Sequence, residues 1–157
     1  MKRLLLIFMF LFSIKGVFSQ DQLSEMINIS LEKFVEIDIQ QRERYRTEYF
    51  PEKEKITSIS NYYLLTDYYP NGFEFSQKIK DMGFRLTSER DYNKRWFRKP
   101  QVVVEMGYTL YGNILRIWFS KESISRKIKY LGASWAYFVW QYDCKTDGWD
   151  LIYVRYV

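Results

Sequence analysis

The chain has 157 residues, 47% hydrophobic and 20% aromatic, with 24 Lys and Arg, 19 Asp and Glu, and no histidine. That length suits one domain with enough apolar surface for a core. The lack of histidine removes Ser-His-Asp and Cys-His machinery, histidine metal ligation and the commonest general base.

Met1–Ser19 reads as a secretory signal peptide: a basic start at Lys2 and Arg3, an apolar run from Leu4 to Phe12, and Val17 and Ser19 at the positions a signal peptidase inspects. The apolar run is shorter than the ~20 residues that span a bilayer, and Lys15 keeps it from extending further. The expectation is cleavage after Ser19, a periplasmic or secreted product, no membrane span after removal, and one domain over Gln20–Val157. Loss of Lys2, Arg3 and Lys15 leaves 21 of the 24 Lys and Arg against 19 Asp and Glu, a net charge of +2. So small an excess offers no electrostatic case for nucleic acid. Cys144 stands alone, so no intramolecular disulfide can form even in an oxidising compartment.

Leu23, Met26, Ile27, Leu31, Phe34 and Val35 recur at helical spacing with charges between them, which predicts an amphipathic N-terminal helix. Charges dominate from Gln40 to Lys55, and the second half of that stretch, with Pro51, reads as a solvated connector. Ile56–Tyr69 is β-branched and tyrosine-rich and ends at the turn signal Pro70-Asn71-Gly72, which predicts a strand. Phe75–Gly83 predicts a short helix with Phe75, Ile79 and Met82 on one face and Gly83 just past its end. Ile124–Gly132 repeats its Ser, Lys, Ile, Lys and Gly positions and predicts a second; any amphipathic helix closed by glycine looks like this without common ancestry.

Between these helices, Arg85–Lys99 mixes Arg90, Lys94, Arg95, Arg98 and Lys99 with Tyr92, Trp96 and Phe97. A charged hairpin with its aromatics turned inward is the expectation, with an acidic protein surface or anionic glycan as its functional version. Gly112-Asn113 suits a two-residue hairpin turn of primed type. It sets Leu110 opposite Leu115, Tyr108 opposite Ile117 and Met106 opposite Phe119 on one apolar face, and Thr109 with Arg116, Gly107 with Trp118 and Glu105 with Ser120 on the other. A three-residue loop at Thr146-Asp147-Gly148, with Gly148 left-handed, would place Phe138, Trp140, Tyr142 and Cys144 on a face shared with Tyr156, Val154, Ile152 and Asp150. Cys144 then becomes a partly buried hydrophobe at the rim. Tyr137, Val139, Gln141, Asp143, Leu151, Tyr153 and Arg155 remain on the other face, with Trp149 at the tip.

The chemical motifs are thin. Ser30 and Lys33 have Ser-x-x-Lys spacing without the partner motifs of that chemistry. Asp143, Asp147 and Asp150 suggest a calcium loop, but Lys145 and Val154 fall where oxygen ligands are required, so an Asp-Gly turn is preferred. Glu105 is the best single carboxylate for a hydrolase, with no second acid identifiable.

The resulting expectation is a single α+β domain: a mainly antiparallel β-sheet with an N-terminal helix and two short helices packed on one face. Its expected role is that of an exported, non-catalytic binding protein, inhibitor-like or immunity-like, with no metal and no cofactor. A protein partner would be engaged through Trp96, Arg116, Trp118, Trp149, Tyr153 and Arg155, because Trp, Tyr and Arg dominate interface energetics. The alternatives are an envelope glycan or small-ligand binder and a small carboxylate-dependent hydrolase using Glu105.

Overall fold

A computed structural model describes residues 19–56, 59, 62–93, 101–124 and 133–157. The expected signal segment up to residue 18, Trp96 with its basic neighbours, and the second predicted helix from residue 125 onward lie outside these residues. Ile124, the first residue of that predicted helix, is the last of a strand.

The N-terminal apolar stripe forms a helix longer than its hydrophobic periodicity covers: α1 spans Gln20–Tyr49. The charged stretch after Gln40 stays helical because it stabilises its own turns. Arg46 pairs with Glu43 one turn back at 2.7 Å, and the Tyr45 and Tyr49 rings meet at 4.7 Å. Phe50 ends the helix where Pro51 disfavours a helical residue before it. At the other end Ser19 caps α1, its hydroxyl accepting the Gln22 N–H while the Gln22 side chain accepts the Ser19 N–H. Cleavage after Ser19 would remove this cap.

Among the described residues of the predicted strand Ile56–Tyr69, β1, Tyr62–Leu65, joins the sheet, and Thr66–Tyr68 closes into a 3₁₀ turn. The first short helix forms as expected: α2, Gln77–Asp81, starts at the Ser76 hydroxyl, which accepts the Ile79 N–H at 3.3 Å, and passes into Gly83 at φ 86°. The start of the expected charged hairpin is instead the short strand β2, Arg85–Thr87, followed by the helix α3, Glu89–Asn93. Asp67 and Ser88 decide this locally, accepting the backbone N–H groups of Glu89 (2.5 Å) and Asp91 (3.1 Å).

The remaining strands are β3 Gln101–Tyr111, β4 Ile114–Ile124, β5 Ala133–Asp143 and β6 Gly148–Tyr156. They complete a six-stranded sheet in the order β2-β1-β3-β4-β5-β6. The fold is therefore α+β and mostly antiparallel, with a long N-terminal helix and two short ones. Its parallel part is β1, which runs parallel to both β2 and β3 because the connections on either side of β2 carry helices and cannot close as hairpins.

The first hairpin has the expected register throughout, from Leu110 opposite Leu115 to Glu105 opposite Ser120. Of its two turn residues only Gly112 has positive φ, 58°, as a type II′ turn requires. Met106, Leu115, Ile117 and Phe119 are buried beneath α1, whereas Tyr108 and Leu110 are 38% and 45% exposed, because burial along β3 ends before the hairpin tip.

The second hairpin corrects three expectations. Its turn holds four residues, Cys144 to Asp147, with Asp147 rather than Gly148 at positive φ. The Asp143 carboxylate accepts the Lys145 N–H at 2.9 Å, and the Tyr142 hydroxyl donates to Asp147, so side chains hold this turn where glycine was expected to. Asp143 therefore pairs with Gly148 and Tyr142 with Trp149. An irregularity opposite Val139 and Trp140 then inserts Ile152 as an extra residue; beyond it Phe138 pairs with Val154 and Tyr137 with Arg155, two residues from the expected register but with the expected sides of the sheet regained. Trp149 and Leu151 turn toward the core, Ile152 is 53% exposed, and Cys144 is exposed in the turn rather than tucked at a rim. Val154 keeps the Phe138 side of the sheet but is 38% exposed on this edge strand.

Among the described residues, no helix is long and apolar enough to cross a membrane.

Candidate functional site

Strand alternation sends every second residue of β3 to β6 away from α1, and the ladder lines these up in rows. One row reads Gly107, Trp118, Tyr137, Arg155; the next reads Thr109, Arg116, Val139, Tyr153. The Trp118 ring crosses Gly107 so closely that a Cβ there would meet it at 2.3 Å, so only glycine lets the half-buried indole lie flat on the sheet. Beside it, Tyr137 and Tyr153 are 41% and 50% exposed, and Arg116 and Arg155 are exposed.

These side chains border a shallow groove of about 600 Å³, shared by Arg116, Trp135, Tyr137, Val139, Tyr153 and Arg155. Three of the expected contact residues, Arg116, Tyr153 and Arg155, thus meet in one place, and Trp118 adjoins them in the ladder. Trp149 does not join them: it packs against the core and against Tyr142, with ring centroids 5.5 Å apart. Trp135 and Tyr137 complete the surface. Alternation puts both on the same face as Arg116, so their signal was present in the sequence.

A second constellation lies on the opposite face, between α1 and the sheet edge. Asp38 is fully buried and accepts hydrogen bonds from the hydroxyls of Tyr62 and Tyr156 (2.8 Å from the latter) and from the Lys121 ammonium. Arg42, one turn on, donates to the Tyr62 hydroxyl at 3.1 Å. Burial first, and then the Asp38 charge and its hydrogen bonds, push both phenols well above their ordinary value, so they remain donors at any physiological pH. The readable signal was a charge in an apolar slot. Asp38 continues the Leu31, Phe34, Val35 stripe by one turn, and Lys121 continues the alternation Leu115, Ile117, Phe119 by one step.

The chain matches no protein-family model, no curated protein and no solved structure.

The minor motifs find places in the same frame. Ser30 is buried and accepts the Trp140 indole N–H at 3.0 Å, joining α1 to β5. Asp143 and Asp147 shape the last turn while Asp150 lies in β6 opposite Gln141, and no group of three or more His, Cys, Asp or Glu able to hold a metal occurs among the described residues. Glu105 is half-buried; burial, then Glu122 and Glu89, raise its carboxyl. A carboxylate raised by folding stabilises the fold below its unfolded value and loses that contribution as pH climbs through the folded value. Glu105→Gln is therefore expected to raise the thermal midpoint slightly at pH 7, with the gain shrinking toward pH 4. Thermal melts of both proteins across that range check the sign.

Proposed function

We propose that this chain is a non-catalytic binding protein, exported to the periplasm or beyond, whose open sheet face docks an acidic surface of a protein partner in the manner of an inhibitor or immunity protein. The observation that carries this reading is the composition of the face: two exposed arginines and two exposed tyrosines border one groove, and no Asp or Glu side chain lines it among the described residues. Tyr and Trp supply rigid contact area at low entropic cost, and Arg offers a fork that fits carboxylates in pairs. The face is carried on β4, β5 and β6, whose other side is anchored by Ile117, Phe119 and Phe138, so it is preorganised and loses little freedom on binding.

The test is a double charge reversal, Arg116→Glu with Arg155→Glu, compared with wild type in a capture experiment from envelope extract. The expected result is an acidic protein retained by wild type, released as salt rises, and lost with the reversed face while the circular dichroism spectrum is unchanged. Recovery of the same partner by both proteins would remove the proposed surface. Retention of a glycan in place of a protein would move the reading to an envelope-polymer binder.

A further inference from the structure

We propose that the groove between the C-terminal half of α1 and the edge of the sheet is a binding site for a small organic anion, a carboxylate on an aromatic or aliphatic body. It is independent of the partner-binding face.

The groove holds about 660 Å³, within the range of roughly 300–1,000 Å³ usual for small-molecule sites. Its outer wall is built by a specific set of bonds. Glu43 grips Arg46 through two hydrogen bonds of 2.7 and 3.0 Å, and Arg46 reaches on to the carbonyls of Pro51 (3.2 Å) and Lys53 (2.8 Å). The Ile56 N–H returns to Glu43 at 2.9 Å. The connector after α1 is thereby strapped against the helix. The Arg46 hydrogen bond, then the Ile56 N–H, hold Glu43 down from 4.5 to about 2. A carboxylate lowered in this way stabilises the folded form above its unfolded value and loses that contribution as pH falls toward about 2, so the wall persists in mildly acidic surroundings.

Charge then selects the ligand. Asp38, Arg42, Arg46, Lys53 and Lys121 are the charged side chains lining the groove. Lys121 is matched by Asp38 and Arg46 by Glu43, while Arg42 and Lys53 have no carboxylate at ion-pair distance among the described residues. Arg42 gives one donor to Tyr62 out of the five a guanidinium carries. Asp38 is the one acidic side chain in this lining among the described residues, and the donors of Tyr62, Tyr156 and Lys121 already engage both of its oxygens. The remaining lining includes the rings of Tyr45, Phe50 and Tyr156, beside Gln41, Ile56, Ser134 and Val157. Tyr45 and Phe50 stand 57% and 37% exposed with centroids 6.0 Å apart, and the Lys53 ammonium lies 4.0 Å above the Phe50 ring. A ligand with its acid group at Arg42 and Lys53 and its body along Tyr45 and Phe50 covers both features at once.

Isothermal titration of the protein with 1-naphthoate tests this, with octanoate and inorganic phosphate as separate titrants. The expected result is saturable binding of naphthoate or octanoate, weakened roughly tenfold or more in Arg42→Gln with Lys53→Gln, and little response to phosphate. Should the double variant unfold, Lys53→Gln alone, at an exposed residue, is expected to weaken binding while leaving the thermal midpoint unchanged. Absence of binding by both organic acids, equal binding by variants that remain folded, or phosphate binding as tightly as naphthoate would each overturn the proposal. None of these outcomes depends on the sheet face, whose arginines are untouched.

Discussion

Asp38→Ala is expected to destabilise the fold by about 3–5 kcal/mol, because removing one partner of a buried ion pair strands the other. Asp38 lies fully buried at the meeting point of α1, β1, β4 and β6, bonded to Tyr62, Lys121 and Tyr156. Without it, the Lys121 ammonium faces two phenols and no counter-charge. Against a total stability of about 5–15 kcal/mol for a typical domain, such a loss moves the unfolding midpoint a long way. Asp38→Asn, which keeps the shape and loses the charge, is expected to fall between wild type and alanine. Asp38→Leu combined with Lys121→Met should recover much of the loss, since an apolar pair of similar volume removes both desolvation costs. Urea unfolding followed by circular dichroism measures all four. A loss below about 1 kcal/mol for Asp38→Ala would show that the cluster does not hold the helix to the sheet.

Phe34→Ala is expected to cost a similar amount, about 3–5 kcal/mol, by a different route: lost burial plus the cavity left behind. Phe34 is fully buried on α1, and its ring stacks on Phe119 at 5.4 Å and on Tyr156 at 6.2 Å. It is thus the apolar neighbour of the Asp38 cluster, with Tyr156 common to both. The two substitutions should not add. Once Phe34 is gone, Tyr156 is free to shift, and the further cost of losing Asp38 is expected to change by about 0.5–2 kcal/mol. A double-mutant cycle in urea measures that coupling, and strict additivity would mean that the two contacts act separately.

How far the sequence carried this picture differs between the two hairpins. In the first, both strands alternate cleanly and Gly112-Asn113 allows a two-residue turn, so the register and both faces could be read in advance. In the second, alternation was just as clear, but the turn was ambiguous by one residue. Asp143 and Asp147 took up the role assigned to Gly148, and the irregularity at Ile152 turned Trp149 inward while leaving Tyr153 and Arg155 where alternation put them. The open face was therefore legible in Arg116, Trp118, Tyr153 and Arg155 and misread at Trp149. The connector expected in the second half of Gln40–Lys55 begins at Phe50, beside Pro51, whereas the length of α1 before it could not be read from hydrophobic periodicity, because its support comes from pairs such as Glu43 with Arg46.

What the sequence determined by itself was whatever depends on near neighbours: the stripe of α1, the stop at Gly83, and the two faces of β3, β4 and β5. Only the tertiary structure decided that Asp38 and Lys121, 83 residues apart, would share a buried bond, and that the connector after α1 would close a basic groove over them. The physical reason is that a period of 3.6 or 2 states which side of an element a residue occupies, whereas the partner waiting on that side is set by how the elements are stacked.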